Sequence, residues 1–232
     1  MTRRRPTSIS ISIATISVVL LLLSQPMQAQ RSKALADVAA LDSTSWFEGL
    51  SVSVDLVGPL QLALSSYGQY EAALRVNMKD RYFPILELGI GRSNHDEDVT
   101  ETHYETKAPY MRIGIDFNLM KNKHDIYRLY GGARYGFTSF KFDVSHPPVT
   151  DPIWEGQSAY EGTDVKCKYH WMEAVFGVDA KIWGPIRLGW SVRYRHRLKK
   201  RVDEMDNCWY VPGYGVDDKS NLGGTFNVIV EI

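Results

Sequence analysis

The chain alternates apolar and polar residues, with a period of two, in eight separate segments. In the clearest segment, apolar residues at 111, 113, 115, 117 and 119 are separated by Arg112, Gly114, Asp116 and Asn118. Such alternation predicts β-strands whose two faces have different chemistry. The segments span 50–56, 70–78, 86–91, 111–119, 128–137, 172–182, 186–195 and 225–232.

The links between these segments alternate in length. Tight polar or Gly-Pro turns lie at 79–81, 121–125 and 184–185. The longer links lie at 58–67, 92–108, 143–167 and 198–221. This regular alternation places all tight turns at one end of an up-and-down sheet, and closing that sheet removes its exposed edges. The sequence therefore predicts an all-β fold, an eight-stranded antiparallel up-and-down β-barrel, over residues 48–232.

The residues on the polar face of the strands indicate which face points into the barrel. Acids and bases are nearly balanced there, and almost all the bases are arginines, which suit desolvated pairs with carboxylates. Glycines on the same face leave room for long side chains in a narrow lumen. We therefore predict a transmembrane barrel with its apolar face toward lipid and a lumen plugged by ion pairs. The predicted network is Asp55, Glu71, Arg75, Glu87, Arg112, Asp116, Arg134, Glu173, Asp179, Lys181, Arg187 and Arg193.

Aromatic residues gather toward the ends of the segments. Such residues are typical of the two lipid–water interfaces of a membrane protein. We expect the following to form two girdles on the outer surface: Tyr67, Tyr70, Tyr82, Phe83, Tyr110, Tyr127, Phe137, Phe140, Tyr169, Trp171, Trp183 and Tyr194.

The N-terminus has the order of a secretory signal peptide. Arginines at 3–5 precede an apolar run over 9–23, and the small residue Ala29 follows. The alternative, a membrane anchor, needs about 20 apolar residues, which is more than this run supplies. We predict a cleaved signal peptide over 1–29 and a periplasmic lead-in over 30–47.

Together, the signal peptide, the eight strands and the alternation of short turns with long links resemble the OmpA/OmpX class of small Gram-negative outer-membrane barrels. The last strand, 224–232, resembles the C-terminal assembly signal of that class, although it ends in Ile232 instead of the usual Phe. The resemblance implies a monomer in the cell outer membrane. Its expected partners are outer-membrane lipid, lipopolysaccharide and, during biogenesis, the barrel-assembly machinery. Because strand eight ends the chain, we expect no periplasmic domain after the barrel.

Composition narrows the chemistry further. The 27 basic and 27 acidic side chains cancel, which gives no reason to expect a nucleic-acid partner. Two cysteines are too few for a four-thiolate zinc site, and no motif indicates a cofactor. Cys167 and Cys208 lie beside neighbouring strands in an oxidising compartment, so we expect a disulfide between them. Two free thiols are the alternative.

The long links differ in charge. The link over 94–107 is rich in carboxylates and carries His95 and His103. We expect a solvated acidic loop without a metal, and a divalent-cation site is the alternative. The link after strand seven is basic and predicts either a grip on lipopolysaccharide phosphates or a rim cluster neutralised by Asp203, Glu204 and Asp206. Its cations are Arg195, Arg197, Lys199, Lys200 and Arg201.

Three functions are compatible with these features. The leading interpretation is a non-enzymatic barrel with a structural or surface-interaction role through its long extracellular loops. The first alternative is a lipid A-modifying acyl hydrolase or transferase, for which His170 and Ser139 lie on the lipid-facing side of adjacent strands. No carboxylate shares that face to orient the imidazole. The second alternative is a soluble periplasmic ligand-binding barrel.

Overall fold

The chain folds as a closed antiparallel β-barrel. The computed structural model describes residues 46–97, 101–122, 125–150, 157–203 and 208–232; the predicted signal peptide and most of the lead-in lie outside these ranges. Eight strands close the barrel in the order β1-β10-β7-β6-β5-β4-β3-β2, and β8 pairs with β9 as a separate hairpin. The predicted eight-stranded up-and-down fold is confirmed. The elements are β1 (Gly49–Asp55), α1 (Val57–Leu64), β2 (Tyr67–Asn77), β3 (Tyr82–Glu97), β4 (Thr102–Asn118), β5 (Tyr127–Thr150), β6 (Gln157–Trp183), β7 (Ile186–Val202), β8 (Tyr210–Val211), β9 (Gly215–Val216) and β10 (Ser220–Glu231).

The tight connections all lie at one end of the barrel, which we call the turn end. Between β2 and β3, Lys79 and Asp80 both adopt positive φ, the geometry that matches the twist of a two-residue hairpin. Gly184, at φ 52°, makes the turn from β6 to β7. The first residue of β1 and the last of β10 lie at this end as well, because Ser51 pairs with Glu231. We call the opposite end the loop end.

The two faces of the barrel are oriented as a membrane protein requires. On β4, Ile113 and Phe117 are 58% and 41% exposed on the outer surface, whereas Arg112 and Asp116 are fully buried in the interior. The same alternation runs around the wall and produces an outward-facing apolar belt. Its exposed members include Val54, Tyr70, Leu74, Leu88, Ile90, Met111, Phe176, Val178, Trp190, Val192 and Leu222. The transmembrane orientation of the barrel is confirmed.

Most of the predicted long loops are strand instead. β5 runs to Thr150 and β6 begins at Gln157, so Cys167 lies well inside a strand and not at its start. In this region the faces exchange chemistry: Phe140 and Phe142 point inward, whereas Lys141 points to solvent. The period of two continues along β5 and β6, but the inward face is now apolar and the outward face polar. For this reason the apolar positions of the membrane-facing side predicted shorter strands.

The link between β1 and β2 contains a short helix that the sequence did not predict. A Cβ on Gly58 would lie 2.1 Å from the backbone oxygen of Gln69, so the absence of a side chain lets α1 pack directly on β2. Asp55 begins the helix by accepting hydrogen bonds from the amides of Val57 and Gly58 at 3.2 and 2.9 Å. No helix in the described ranges is long and apolar enough to cross a membrane.

The predicted aromatic girdles are only partly on the outer surface. Tyr70, Tyr127, Trp183 and Tyr194 are exposed there, at 50% or more. Tyr67, Tyr82 and Phe137 are half-buried. The remaining group lies in the barrel interior, because these side chains occupy inward-facing positions of their strands. This group is Phe83, Tyr110, Phe140, Tyr169 and Trp171, each at most 4% exposed.

Candidate functional site

The interior of the turn-end half is filled by two layers of ion pairs. In the layer closer to the turns, Arg75 donates to Asp116 at 3.1 Å and to Asp179 at 3.2 Å. Asp179 also accepts from Nε of Arg187 at 2.8 Å, and Arg187 reaches Glu231 at 3.2 Å. Arginine suits this role because its fork of donors can serve two carboxylates at once.

The second layer, near mid-height, centres on Arg112. Its guanidinium pairs with Glu71, with Glu87 at 3.1 Å and with Glu173 at 3.1 Å. Arg193 reaches Glu87 at 3.0 Å and Glu71 at 3.3 Å. Arg134 pairs with Glu87 and, at 3.1 Å, with Asp116, which joins this layer to the first.

Two aromatic side chains connect the ion pairs to the region above them. The Tyr110 hydroxyl donates to Glu71 at 2.7 Å, and Nε1 of Trp171 donates to Glu173 at 2.7 Å. Buried carboxylates that accept several donors in this way are compensated for the loss of water. The layers therefore form one continuous hydrogen-bonded network.

The structure places some predicted lumen residues elsewhere. Lys181 lies at the turn end with an exposed side chain, 3.8 Å from Glu231. Asp55 faces the interior, but it accepts hydrogen bonds from backbone amides, including that of Phe226 at 3.1 Å. Arg195, predicted at the basic rim, is instead buried inside, with its Nε 3.4 Å from Glu173.

The loop-end interior holds an aromatic cluster capped by the β8–β9 hairpin, which we call the cap. Val211 and Tyr214 are fully buried beneath the barrel mouth. Gly213, at φ 83°, lies against the Tyr110 ring, where a Cβ would meet a ring carbon at 2.5 Å. The cap was not predicted, because residues 209–216 lack the period-two pattern of the long strands; their concentration of Trp, Tyr, Pro and Gly was the available signal. The cluster comprises Tyr104, Ala108, Tyr110, Phe140, Phe142, Val144, Val165, Cys167, Tyr169, Trp171, Cys208, Tyr210, Val211 and Tyr214.

The predicted disulfide is absent, because Cys167 and Cys208 are both free buried thiols. They meet inside the cluster because β6 directs Cys167 inward and the chain after β7 folds back into the mouth. Cys208 donates to the Tyr210 carbonyl at 3.5 Å, and its sulfur lies 3.6 Å from the Tyr104 hydroxyl. A hydrogen bond with the Cys167 thiol, together with burial, raises the pKa of Cys208 well above its ordinary value.

The outer surface of the loop-end half carries a cationic wall, which we define as Lys107, Lys141, Lys166, Lys168 and Arg201. All are exposed, on the adjacent strands β4 to β7, and they border a shallow depression of about 560 Å³. Lys141 lies opposite Lys166, and Lys168 lies opposite Arg201. Like charges in directly opposed positions repel. Lys141 is compensated by Asp164 at 3.0 Å, and Asp203 also borders the depression, so the repulsion is strongest between Lys168 and Arg201.

Of the other predicted rim cations, Arg197 and Lys200 pair with Asp217, the former at 3.1 Å. Lys199 is exposed on the outer wall opposite His170. The carboxylate that neutralises part of the rim is therefore Asp217, which was not among the predicted ones. Glu204 and Asp206 lie outside the described residues.

The weak catalytic candidates are not brought into a working arrangement. His170 Nδ1 shares a hydrogen bond with the Tyr135 hydroxyl at 2.6 Å, and its ring packs on Phe137. Ser139 is directly opposite Lys168 in the sheet. On the link predicted to be acidic, the His95 ring stacks on Trp209 at 3.9 Å.

The side chains that could bind a metal ion do not come together in the described part of the chain. Within the ranges that the structure covers, no group of three or more His, Cys, Asp or Glu side chains could hold a metal ion. Asp98, part of the candidate cation loop, falls in the uncovered stretch 98–100.

Fold and interior chemistry together define an eight-stranded membrane-spanning barrel. Residues 8–231 match the family described as "Domain of unknown function (DUF6048)", and the chain belongs to that family. None of the curated proteins compared with the chain matches it.

The chain is also similar in structure to three small eight-stranded outer-membrane β-barrels. Neisserial surface protein A is 10% identical with a TM-score of 0.43, over 82% of this chain and 100% of that one. Ail, the attachment invasion locus protein of Yersinia pestis, solved with the heparin analogue sucrose octasulfate, is 13% identical with a TM-score of 0.39, over 79% and 98%. CarO2 of Acinetobacter baumannii is 12% identical with a TM-score of 0.40, over 79% and 97%.

Proposed function

We propose that the protein is a non-enzymatic barrel of the Gram-negative outer membrane with a closed lumen and a role at the cell surface. In this proposal a cleaved signal peptide exports it, the turn end faces the periplasm and the loop end faces outward. The observation that carries the proposal is the filled interior, with two ion-pair layers at the turn end and the cap over the aromatic cluster at the loop end.

The packing of the ion-pair layers supports a lumen that does not conduct. An eight-stranded barrel is just wide enough for its own side chains. The interior space bordered by Glu71, Arg75 and Glu87 measures about 10 Å³, roughly the room that one water molecule needs. Ions crossing this region would have to displace arginine–carboxylate pairs that are bonded on several sides.

Planar-bilayer recordings test the closed lumen. We expect no stable conductance steps from the full chain, nor from a variant in which residues 209–216 are replaced by a Gly-Ser linker, because the ion-pair layers remain. Conductance steps in the variant alone would mean that the cap, and not the ion-pair layers, closes the lumen. Large, stable steps from the unaltered protein would contradict the proposal.

The cationic wall supports a role in holding anionic lipid at the surface. It lies just beyond the apolar belt, the level at which lipid phosphates meet a barrel wall. Facing cations such as Lys168 and Arg201 gain most from an anion between them, and Arg201 can bind a phosphate with two donors. The partner we propose is the phosphate of lipopolysaccharide.

A triple variant, Lys166→Gln, Lys168→Gln and Arg201→Gln, tests this contact. We expect its affinity for lipopolysaccharide, measured by titration in neutral detergent, to fall by about tenfold or more, since each charge near an anionic surface contributes about 1 kcal/mol. The control is Lys181→Gln at the turn end, which should leave the affinity unchanged. Equal losses in both variants, or no loss in either, would contradict the assignment.

The non-enzymatic part of the proposal is supported by the surroundings of His170, whose ring is engaged by Tyr135 and Phe137. A histidine base needs a hydroxyl nucleophile within hydrogen-bond reach, and an orienting group behind it. Mass spectra of lipid A from wild-type and deletion strains should therefore be identical. A changed acylation pattern that Ser139→Ala reproduces would favour the enzyme instead.

A further inference from the structure

The wall of the barrel has a gap near the loop end, between β1 and β10. β10 pairs with β7 from Val230 up to Ser220, but it pairs with β1 only as far as Asn227. Beyond that point, the Leu56 amide donates to the Phe226 carbonyl at 2.8 Å. No strand in the described part of the chain continues along this edge of β10.

Backbone groups on the open edge point into the gap. Both the amide and the carbonyl of Phe226 face the β1 side, where they bond Asp55 and Leu56. Alternate residues of an extended strand direct these groups to the same side, so Leu222 and Gly224 also face the gap. Unpaired strand groups at a membrane surface are costly unless water or a ligand satisfies them.

The helix α1 stands opposite this edge without closing it. Contact of Gly58 and Gly68 draws the helix onto β2, and a Cβ on Gly68 would meet the Gly58 oxygen at 2.8 Å. A groove of about 520 Å³ remains between α1 and β10, within the range of small-molecule sites.

The mouth of the groove is apolar and its floor is open. Leu60 and Leu64 of α1 are 57% and 79% exposed, and Leu222 of β10 is 70% exposed. The floor is formed by Gly223 and Gly224, which have no side chains to fill it. This combination suits a hydrocarbon chain that enters from the bilayer along the apolar belt.

The inner end of the groove is lined by one positively charged group, the guanidinium of Arg195, which can donate further hydrogen bonds. Arg195 donates through Nη1 to the Tyr214 carbonyl at 2.7 Å, and its Nη2 lies beside Gly223, where a Cβ would be 3.1 Å away. Its carboxylate neighbour is Glu173, which Arg112 and Arg193 also contact, at 3.1 and 3.8 Å.

The other charge at the groove is already neutralised. Asp55 accepts hydrogen bonds from three backbone amides, those of Val57, Gly58 and Phe226. The remaining electrostatic preference of the groove is therefore set by Arg195, which favours an anion.

We propose that this groove binds a single-chain amphiphile with an anionic head, a long-chain carboxylate. The head lies against Arg195 and the open amides of Leu222 and Gly224, and the tail leaves between the leucines of α1 and β10. The groove of about 520 Å³ accommodates one hydrocarbon chain and a carboxylate head.

The test uses the full chain in neutral detergent, with palmitate as the probe and native mass spectrometry as the readout. We expect one palmitate to bind, and hexadecanol, which lacks the charge, to bind about tenfold more weakly or worse. Gly224→Trp should reduce palmitate binding by about tenfold or more by filling the groove. The matched control is Gly131→Trp, on the outer face of β5, where a Cβ meets nothing closer than 3.4 Å; binding should be unchanged there.

A second pair of variants tests the head and the tail separately. Arg195→Gln should abolish the preference for palmitate over hexadecanol. Because Arg195 also contacts Glu173, Leu64→Glu at the exposed mouth, where the tail leaves, provides an independent check and should weaken palmitate and hexadecanol alike. The proposal is overturned if palmitate does not bind, if Gly224→Trp and Gly131→Trp behave alike, or if a peptide strand or second copy of the chain occupies the edge of β10 instead.

Discussion

The two halves of the barrel are built on opposite chemical patterns. In the turn-end half, arginines and carboxylates such as Arg112 and Asp116 face inward, and apolar residues such as Ile113 face outward. In the loop-end half, aromatic residues such as Phe142 face inward and lysines such as Lys166 face outward. The backbone is continuous through both. The difference teaches that the surrounding solvent, lipid or water, determines which face of the same strand is apolar.

The two halves must therefore be held together by different forces. Lipid is as apolar as the side chains of the outer belt, so the turn-end half gains little from the hydrophobic effect and depends on ion pairs and hydrogen bonds. The loop-end half buries aromatic area away from water, as a soluble barrel does. Substitutions that remove charge should act mainly on the first half, and those that disturb packing mainly on the second.

The largest effect is expected from Arg112→Met, which removes one of the two arginines shared by Glu71, Glu87 and Glu173 and leaves only Arg193 in contact with all three. Breaking a buried ion pair from one side costs about 3–5 kcal/mol. We expect the free energy of unfolding, measured with urea in lipid vesicles, to fall by that amount. The control is Lys181→Met, at an exposed pair, where about 0–1 kcal/mol is expected. Equal effects of the two substitutions would refute the assignment of the ion-pair layers as the main stabilising element of this half.

The sequence predicted which residues of the turn-end half face inward, because strict alternation fixes the face of every residue once a strand is recognised. It could not predict the pairing. Arg112 and Glu71 are 41 residues apart, and Arg193 and Glu71 are 122 apart, so their meeting depends on barrel closure and tilt. Lys181 keeps the same phase along β6 as Asp179, but it lies near the end of the strand, where the barrel opens to solvent, so its side chain is exposed.

The next largest effect is expected from Gly213→Val in the cap. The left-handed backbone there costs an ordinary residue about 1–2 kcal/mol, and contact with Tyr110 adds about 1–3 kcal/mol. The cap should leave the mouth while the barrel stays folded, so a maleimide should label Cys167 and Cys208 rapidly. Gly184→Val is the matched control, because Gly184 has positive φ with nothing within 4 Å of its added Cβ. Slow labelling of Gly213→Val would contradict the role of the cap.

The loop-end half was harder to predict because its apolar residues face inward, whereas those of the turn-end half face outward. Residues such as Lys141 and Lys166 looked like loop, although Phe142 and Val165 between them keep the period of two. Trp171 and Tyr169 were assigned to a girdle because aromatic residues are common at membrane interfaces. Their inward phase relative to Glu173 was the signal that would have placed them in the interior.

A smaller, local effect is expected from Asp55→Ala, at the boundary between the two halves. The substitution removes the acceptor for the amides that begin α1 and for the Phe226 amide. Loss of a side-chain acceptor for the first helical amides costs about 0.5–2 kcal/mol, so hydrogen exchange of α1 should accelerate by about tenfold while that of β4 is unchanged. Acceleration in β4 as well would mean that Asp55 supports the whole barrel and not this junction.

The smallest effect concerns the thiol pair and depends on pH. Because the pKa of Cys208 is raised in the folded protein, the folded state retains its proton at a pH where the unfolded thiol loses it. This contribution to stability is fully present below about pH 8.5, the ordinary pKa of a thiol, and is lost as pH rises above it, by about 1.4 kcal/mol per pH unit. The free energy of unfolding should therefore fall more steeply between about pH 8.5 and 9.5 for the unaltered protein than for Cys208→Ala. Parallel curves would show that this thiol titrates in the folded barrel as it does in the unfolded chain, which a sulfur enclosed by Cys167, Tyr104 and the cap cannot do.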